Sequence, residues 1–234
     1  MQATSALHKA ILRDSRHHKE HKVVIAGAAY LQPELLSLRT SGGAFDQPGI
    51  GGCASRQIDL TLRRTLGDIP RQAKIEVFTR LVLGEQAAEW LPKGVFYIST
   101  RRTDKLTGSL TIHGYDAMRK AGDIWLTEDY GLDNWPMSQR EAVEDIAYRM
   151  GVEVDPRTRL SGSFPVDYPV GENGDLTMED ILEGIAVSNA GNWVMSDEGK
   201  LLLLRFGDIP PETSYLVTEH GAAITLGGVR ILVG

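Results

Sequence analysis

The sequence predicts a mainly β protein with a small α/β domain that contains two helices. Apolar residues alternate with polar ones in the first half of the chain, as at Ile58, Leu60 and Leu62, and a period of two is typical of a strand with one buried face. Amphipathic helical patterns with capping residues appear only in the second half. We therefore predict four parts: an N-terminal arm or helix at 1–21, a β-barrel at 22–120, the small α/β domain at 121–206 and the start of a second β-barrel segment at 207–234.

The N-terminal segment begins with a short amphipathic pattern and then becomes polar. Leu7, Ala10 and Ile11 recur at helical spacing, and charged residues and histidines follow as far as His21. We expect either a short helix or a loosely held arm. These residues contain no apolar stretch of the length that a secretion signal needs.

Between residues 23 and 113 one predicted strand follows another without an intervening helix. Turn-forming residues at 103–108 separate the last two strands and predict a hairpin. Strands connected in this way are typical of an antiparallel sandwich or barrel. The inward face is predicted to include Leu60, Leu62, Ile75 and Val77, with Arg56, Arg63 and Arg64 on or near the other face.

Residues 39–52 are rich in glycine and are predicted to form a long loop. A phosphate-binding loop would need a Lys-Ser or Lys-Thr pair with a helix directly after it. Neither follows in this sequence, so the pattern favours an ordinary loop.

Two helices of similar design are predicted in the second half. The first helix begins with a capping box at Ser138 and ends at Gly151. The second begins with a similar box at Thr177 and ends at Gly191. Each is followed by a predicted strand, which is typical of helices packed on one face of a small sheet. The apolar stripes are Val143, Ile146, Ala147 and Met150 in the first helix, and Leu182, Ile185 and Ala186 in the second.

Three more strand patterns lie after residue 210, and the sequence stops directly after the last of them. Because a chain usually ends in a polar tail, we expect this one to be cut from a longer protein.

The composition is that of an ordinary globular protein and restricts its partners. The hydrophobic fraction is 42% and the charged fraction is 24%. The net charge of −6 argues against nucleic acid as the main partner, because phosphate binding needs clustered cations. The longest apolar run, at 201–204, is too short to span a bilayer.

The candidates for a metal site are few. His17, His18 and His21 are the densest group of metal-binding residue types. Lys19 and Lys22 lie among them and would repel a dication. We interpret the group as a solvated, charged face.

A reactive thiol or serine has no supporting pattern either. Cys53 is the only cysteine, which excludes an intramolecular disulfide, and it is interpreted as a small packed residue at the start of a strand. A single cysteine is typical of folding in a reducing cytoplasm. Ser163 lies before Pro165 in a loop rather than in a nucleophile elbow, and His113 has no obvious nucleophile beside it.

The carboxylates and the tryptophans show no pattern of a catalytic or base-stacking site. Most candidate acids lie next to turns, where aspartate is expected for hydrogen-bonding reasons; they are Asp104, Asp116, Asp123, Glu128 and Asp129. The tryptophans are too widely spaced to form a base-stacking platform; they are Trp90, Trp125, Trp135 and Trp193. We predict no catalytic, cofactor-binding or metal-binding residue, no cofactor, and a protein that is not an enzyme.

Five segments of the chain resemble tail proteins of phages and prophages from low-GC Gram-positive bacteria. They are SRQIDLTL (55–62), IPRQAKI (69–75), EWLPKGVFYI (89–98), RTD (102–104) and LTIHGYDAM (110–118). The architecture resembles the baseplate hub family of contractile tails and the related tail-tip hubs, over about residues 23–206.

The resemblance implies β-barrel domains related to the tail-tube subunit and a smaller α/β domain. It also implies a homotrimeric ring at the end of the tube, with the tail tube or distal tail protein, the tape-measure protein and a spike or fibre protein as partners. DNA would pass through the lumen without specific binding, and no membrane would be involved. The chain would belong to the virion tail and would be assembled in the host cytoplasm. No catalytic residue is implied.

Two other functions stay open at this point. A cell-wall hydrolase at the tail tip would need a metal or convergent acids such as Asp104 and Asp116. A glycan-binding module would need an exposed aromatic groove, for example near Trp90 or Trp125.

Overall fold

The computed structural model describes residues 4–43, 49–63, 68–125, 135–161, 164–167, 170–171, 174–206, 225–226 and 229–230. Within these residues the helices and strands form two units, each with its own hydrophobic core. We call them the sheet unit and the α/β unit. Arg64 and most of the predicted segment 207–234 lie outside the described residues.

The sheet unit holds most of the strands. It consists of α1 (Ala6–Leu12), β1 (His18–Ile25), β2 (Ala28–Tyr30), β3 (Leu35–Ser41), β5 (Gln57–Leu62), β6 (Lys74–Leu83), β7 (Gln86–Ala87), β8 (Leu91–Thr103) and β9 (Leu110–Tyr115). The α/β unit consists of β4 (Cys53–Ala54), the 3₁₀ helix Ala117–Gly122, α2 (Gln139–Met150), α3 (Met178–Ser188), β12 (Gly191–Met195) and β13 (Leu201–Arg205). Two short hairpins complete the described elements: β10 (Val170–Gly171) with β11 (Gly174–Asp175), and β14 (Thr225–Leu226) with β15 (Val229–Arg230).

The large sheet is antiparallel throughout, with strand order β2-β1-β6-β8-β9-β5-β3 and with β7 on β6. Three β-bulges interrupt its ladders. Leu36 in β3, and Lys93 and Ser99 in β8, are each an extra residue opposite a continuous partner strand. A bulge bends its strand and increases the local twist, so these three residues help to curl the sheet.

The curled sheet wraps around one apolar core. Tyr30 of β2 and Leu35 of β3 lie at opposite ends of the strand order but belong to the same buried cluster. The sheet is therefore a half-barrel rather than a flat layer. The predicted inward residues are all buried in this cluster, which confirms the alternation at Leu60, Leu62, Ile75 and Val77.

The N-terminal residues divide between a helix and a strand. Helix α1 packs Ile11 against Leu81 and Ala88 of the sheet unit, and Ser5 caps its first turn. Residues 18–21, assigned to the arm on sequence grounds, lie in β1 and pair with residues 79–82 of β6. Their side chains are polar and give no alternating strand pattern. Pairing with β6, rather than the local sequence, fixes their extended conformation.

The α/β unit packs its helices on the short sheet β13-β12-β4. Both capping boxes are present, as predicted, at Ser138 and at Thr177. Gly151 ends α2 at a φ of 72°, a left-handed conformation that favours glycine. The predicted end of α3 at Gly191 is wrong, since Asn189 caps the helix and bonds through its side chain to the Ile185 carbonyl.

One strand of this small sheet comes from the first half of the chain. β4 runs parallel to β12 and pairs Cys53 with Trp193. On sequence grounds Cys53 belongs to the barrel, whereas the structure places it in the α/β unit. The connection from β3 to β5 therefore links the two units. The prediction of a mainly β fold with a small α/β part is confirmed.

Removing a buried side chain from the half-barrel tests this account of the core. We expect Leu60→Ala to lower the free energy of unfolding by about 2–5 kcal/mol, because the leucine lies in a shared core that cannot collapse around the cavity. The same change at Leu106, whose side chain is 97% exposed, should have almost no effect. Urea denaturation measures both, and equal losses would contradict the assigned core.

Candidate functional site: an open seam and a buried joint

The half-barrel is open on one side, between β1 with its short partner β2 and the other terminal strand, β3. We call this opening the seam. β2 covers only residues 23–25 of β1, so the outer edge of β1 at residues 18–22 has no strand partner among the described residues. β3 pairs with β5 on one side, and its other edge is likewise unpaired in the part of the chain that the structure describes. Such edges carry backbone groups that can bond to another strand.

A cleft of about 330 Å³ lies along the seam. It is lined by residues 18–21 of β1, residues 35–38 of β3, part of the connection from β2 and Arg80. Among these lining residues Glu20 is the one carboxylate, and it pairs with Arg80 at 2.7 Å. Hydrolysis by two carboxyl groups needs a second acid at a defined distance, so the lining suits strand pairing better than that chemistry.

The β3 side of the seam is unusually exposed. Leu36, the bulged residue, keeps 48% of its surface exposed at the rim of the cleft. Within β3 only Leu35 is buried and Leu38 is partly buried, while the remaining residues of the strand are exposed. A strand with so little burial contributes little to its own core, and its exposed edge is available for pairing with a neighbour.

The β1 side carries His21, whose ring the neighbouring strand β6 restrains. Nδ1 of His21 lies 3.0 Å from the Thr79 hydroxyl. Burial, with a smaller effect from Lys19, lowers the pKa of His21 below its ordinary value. His21 is therefore neutral at pH 7, so it adds no charge to this edge.

The two units meet at a buried pair, Arg56 and Asp116, which we call the joint. Arg56 directly precedes β5 and Asp116 directly follows β9, so the pairing of these strands brings them together. The Asp116 carboxylate accepts hydrogen bonds from the Arg56 amide at 3.0 Å, the Ser55 hydroxyl at 3.1 Å and the Met118 amide at 3.2 Å.

The Arg56 side chain extends from the sheet unit to the α/β unit. Its guanidinium donates to the Asp197 carboxylate and to the Ser196 carbonyl, both at 3.1 Å. These acceptors lie in the turn between β12 and β13. The guanidinium also lies 5.7 Å from the centroid of the Phe96 ring. One arginine thus ties the half-barrel core to the small sheet.

The electrostatics of the joint are those of a structural ion pair. Burial raises the pKa of Asp116, while its hydrogen bonds and the Arg56 charge act in the opposite direction. Nε of Arg56 lies 3.6 Å from the carboxylate and makes no hydrogen bond. Removing Arg56 would leave the Asp116 charge buried without its cation, whereas removing Asp116 would leave Arg56 with Asp197 as its one carboxylate partner among the described residues.

The architecture can be compared with solved structures. The 43 kDa tail protein of prophage MuSo2 from Shewanella oneidensis matches with a TM-score of 0.51 and 11% identity, over 85% of this chain and 59% of that chain. The fold is similar to that of a prophage tail protein. The match spans about three fifths of the solved protein, so it concerns that part of it alone.

Two further tail proteins match more weakly. One, from Neisseria meningitidis MC58, has a TM-score of 0.48 and 15% identity, over 79% of this chain and 51% of that chain. Prophage tail protein gp18 from Listeria monocytogenes EGD-e has a TM-score of 0.43 and 10% identity, over 86% and 55%. No protein-family model matches the sequence, and no curated protein matches it.

The histidines considered as metal ligands do not converge. His17 bonds to the Asp14 carbonyl before β1 begins. His18 and His21 both lie in β1, where residues three apart point to opposite faces of the sheet. No group of three or more His, Cys, Asp or Glu side chains in the described chain is arranged to hold a metal ion.

The candidate carboxylates Asp104, Asp116 and Asp123 lie in separate places. Asp104 accepts amide hydrogen bonds in the turn between β8 and β9, which lower its pKa. Asp116 is in the joint, and Asp123 caps the end of the 3₁₀ helix. Glu128, Asp129 and Ser163 lie outside the described residues.

The tryptophans are covered by their neighbours. Trp125 is buried and donates to Asp145, and Trp193 is buried and donates to the Leu182 carbonyl. Lys22 and Arg80 lie 4.8 Å and 4.5 Å from the Trp90 ring. Sugar rings stack on open aromatic faces, and these cations occupy the Trp90 face. No helix in the described residues is long and apolar enough to cross a membrane.

Two features of the site are not predicted from the sequence. β3 falls partly within residues 39–52, which are predicted as a loop, although Leu36 and Leu38 alternate with polar residues. Arg56 is predicted only to lie on or near an outward face. Its partners in the joint lie 60 and 140 positions away, and no local pattern reports contacts at that separation.

Breaking the joint should destabilise the protein strongly. We expect Asp116→Ala to lower the free energy of unfolding by about 3–5 kcal/mol, because the Arg56 guanidinium loses one of its two carboxylate partners and the buried donors at the joint lose their acceptor. The matched change Asp59→Ala removes a carboxylate that is 54% exposed and pairs with His113, and it should cost at most about 1 kcal/mol. Urea denaturation of both variants makes the comparison; similar losses would mean that the joint has no special role.

The environment of Cys53 should make it a slow nucleophile. Burial and the nearby carboxylates of Glu179 and Glu183 raise its pKa, so the thiol stays protonated at about pH 8, where a free cysteine is partly ionised. We expect native Cys53 to react with iodoacetamide at least about tenfold more slowly than the same residue in concentrated urea. Mass spectrometry follows the reaction, and fast native labelling would refute the interpretation as a packed residue.

Proposed function

We propose that this chain is a structural subunit of a phage-type tail, and that it forms a homotrimeric hub ring at the baseplate or tail tip. The ring would join the tail tube or distal tail protein to a spike or fibre and would surround the channel for the tape measure and the genome. The observation that carries the proposal is the half-barrel with two unpaired strand edges at its seam, among the residues that the structure describes.

A seam of this kind suits a subunit better than a solitary protein. Natural proteins protect exposed strand edges, because an open edge pairs with other chains. Here the edge of β3 is seven residues long, and it carries Leu36 exposed. Pairing of this edge with a strand of a neighbouring copy would extend the sheet from subunit to subunit. Repeated around an axis, such head-to-tail contacts close into a ring.

The tail context rests on the shared fold and on the sequence resemblance together. The half-barrel with an attached α/β unit is similar to a solved prophage tail protein, and the resemblance at residues 55–62 and 110–118 favours a hub. The net charge of −6 suits a channel wall that DNA passes without binding. In this proposal the chain acts in the virion tail, is assembled in the host cytoplasm and has no catalytic role.

Imaging and native mass spectrometry of the purified chain test the proposal. We expect ring-shaped particles with a central opening and a mass of three subunits. Leu36→Lys should weaken assembly at least about tenfold, because a charged side chain at the edge opposes strand pairing. Leu12→Lys is the matched control, since Leu12 is an exposed leucine on α1, and it should assemble normally.

A wild-type chain that stays monomeric at every concentration, even when mixed with tail-tube protein, would refute the ring. Equal assembly of Leu36→Lys and wild type would refute the seam as the contact.

A further inference from the structure

The hairpin formed by β8 and β9 ends in a turn that lies beyond the last core residue of the half-barrel, Leu110. β8 and β9 pair as far as Thr103 and Leu110, and all ten residues from 99 to 108 are exposed. The β9 residues opposite Arg101 and Thr103, Ile112 and Leu110, lie in the half-barrel core, so it is the β8 residues and the turn that are in water. Residues 99–108 bury no apolar side chain of their own, so core packing does not explain the leucine that the turn carries.

The tip of the hairpin is ordered and presents a leucine to solvent. The Asp104 carboxylate accepts amide hydrogen bonds from Leu106 at 2.8 Å and Thr107 at 3.3 Å, and the Asp104 amide donates to the Ser109 carbonyl at 2.8 Å. These bonds hold Leu106 at the apex with 97% of its surface exposed. A preorganised apolar tip loses little conformational entropy when it docks.

The hairpin is basic although the chain is acidic. Arg101, Arg102 and Lys105 are exposed on it. Arg101 donates to the Ile69 carbonyl, whereas Arg102 and Lys105 make no ion pair with any described residue. Two cations and a leucine are thus available to meet a partner surface that is acidic and partly apolar.

A surface with that chemistry lies on α3 and the adjoining loop. Val187 is 62% exposed and Ile50 is 50% exposed. A Cβ at Gly51 would clash with Cγ2 of Val187, so the loop that carries Ile50 lies directly against this residue. Ile50 directly precedes Gly51, so an exposed isoleucine lies one residue from the backbone that touches Val187.

Carboxylates border this patch. Glu179 and Glu183 are one helical turn apart on α3. Burial and the like charges of Glu179 and Asp180 raise the pKa of Glu183. No described cation forms an ion pair with Glu179 or Glu183. The patch therefore has an apolar centre and an acidic border. Its charge is opposite to that of the hairpin, which presents a leucine beside cations.

The topology favours contact between copies rather than within one. β9 runs from the hairpin to the joint, where the α/β unit begins. Its six residues span about 20 Å, and the tip lies farther out. No ion pair joins the hairpin to α3 within the described part of the chain.

We infer that the hairpin at residues 99–108 docks on the α3 surface of a second copy of this chain. Leu106 packs against Val187 and Ile50, while Arg102 and Lys105 pair with Glu179 and Glu183. The contact joins two different surfaces, so it propagates from copy to copy and closes when the rotation allows. This inference rests on the proposed function, and it identifies a second contact of the ring beside the seam.

A charge-swap experiment tests the pairing. Arg102→Glu/Lys105→Glu should weaken self-association at least about tenfold, because like charges then face each other, and Glu179→Lys/Glu183→Lys should do the same. The chain that carries both pairs of changes should recover association, which is the signature of direct coupling. Lys9→Glu/Arg13→Glu, the same charge change on α1, is the control and should associate as wild type. Sedimentation equilibrium measures all of these, after urea denaturation has shown each variant to be folded.

Zero-length crosslinking separates this inference from the proposed ring. In a mixture of ¹⁵N-labelled and unlabelled chains, carbodiimide should join Lys105 to Glu179 or Glu183 of a differently labelled copy. Rings without this crosslink, or swapped chains that do not recover, would overturn the inference and leave the ring proposal standing. The crosslink without rings would support the contact and refute the ring. Hairpin variants that lose binding to anionic vesicles, with self-association unchanged, would identify a lipid surface instead and overturn it.

Discussion

Most strands of the large sheet bury one face in a single apolar core. Side chains from both terminal strands, Tyr30 and Leu35, lie in that core, so the sheet must curl. Bulges at Leu36, Lys93 and Ser99 bend the strands enough to allow it. The bend does not bring the terminal strands into hydrogen-bonding register, and the seam is what remains. The open strand edges at the seam are thus a consequence of how the core is packed.

The joint gives the two units a defined relationship. The Arg56 guanidinium contacts the turn between β12 and β13, while its amide bonds to Asp116 at the end of β9. β4 adds a backbone connection, since it leaves the half-barrel and pairs with β12 in the small sheet. A side-chain link and a backbone link together restrain the α/β unit more firmly than a single flexible linker could. A subunit of a mechanical assembly has to transmit force between its neighbours, and such restraint suits that task.

Much of the fold follows from local pattern. The alternation at Ile58, Leu60 and Leu62 predicts β5, and the box at Ser138 with Gly151 predicts α2 from start to end, because these signals come from residues within one element. Features that depend on distant residues are not predicted. Pairing with β6 fixes residues 18–22 as a strand despite their polar side chains. The joint unites residues that are 60 positions apart. The long exposed edge of β3 belongs to the same class, since a strand is an edge only relative to the complete sheet.

The candidate acids have structural explanations of their own. Asp104 and Asp116 stabilise a turn and the joint, and each therefore has a physical reason to be present without catalysis. What gives the molecule a function in this account is its surfaces: an open edge at the seam, and a basic hairpin opposite in chemistry to an acidic and apolar patch.

Hydrogen–deuterium exchange across a range of protein concentrations tests the central claim that the seam is completed by a neighbouring copy. If neighbouring strands pair there, the edge amides of β3 and of residues 18–22 exchange rapidly in dilute protein and slowly in the assembled state, while amides between β6 and β8 are protected in both. Exchange at the seam that stays equally fast in assembled particles would contradict the claim.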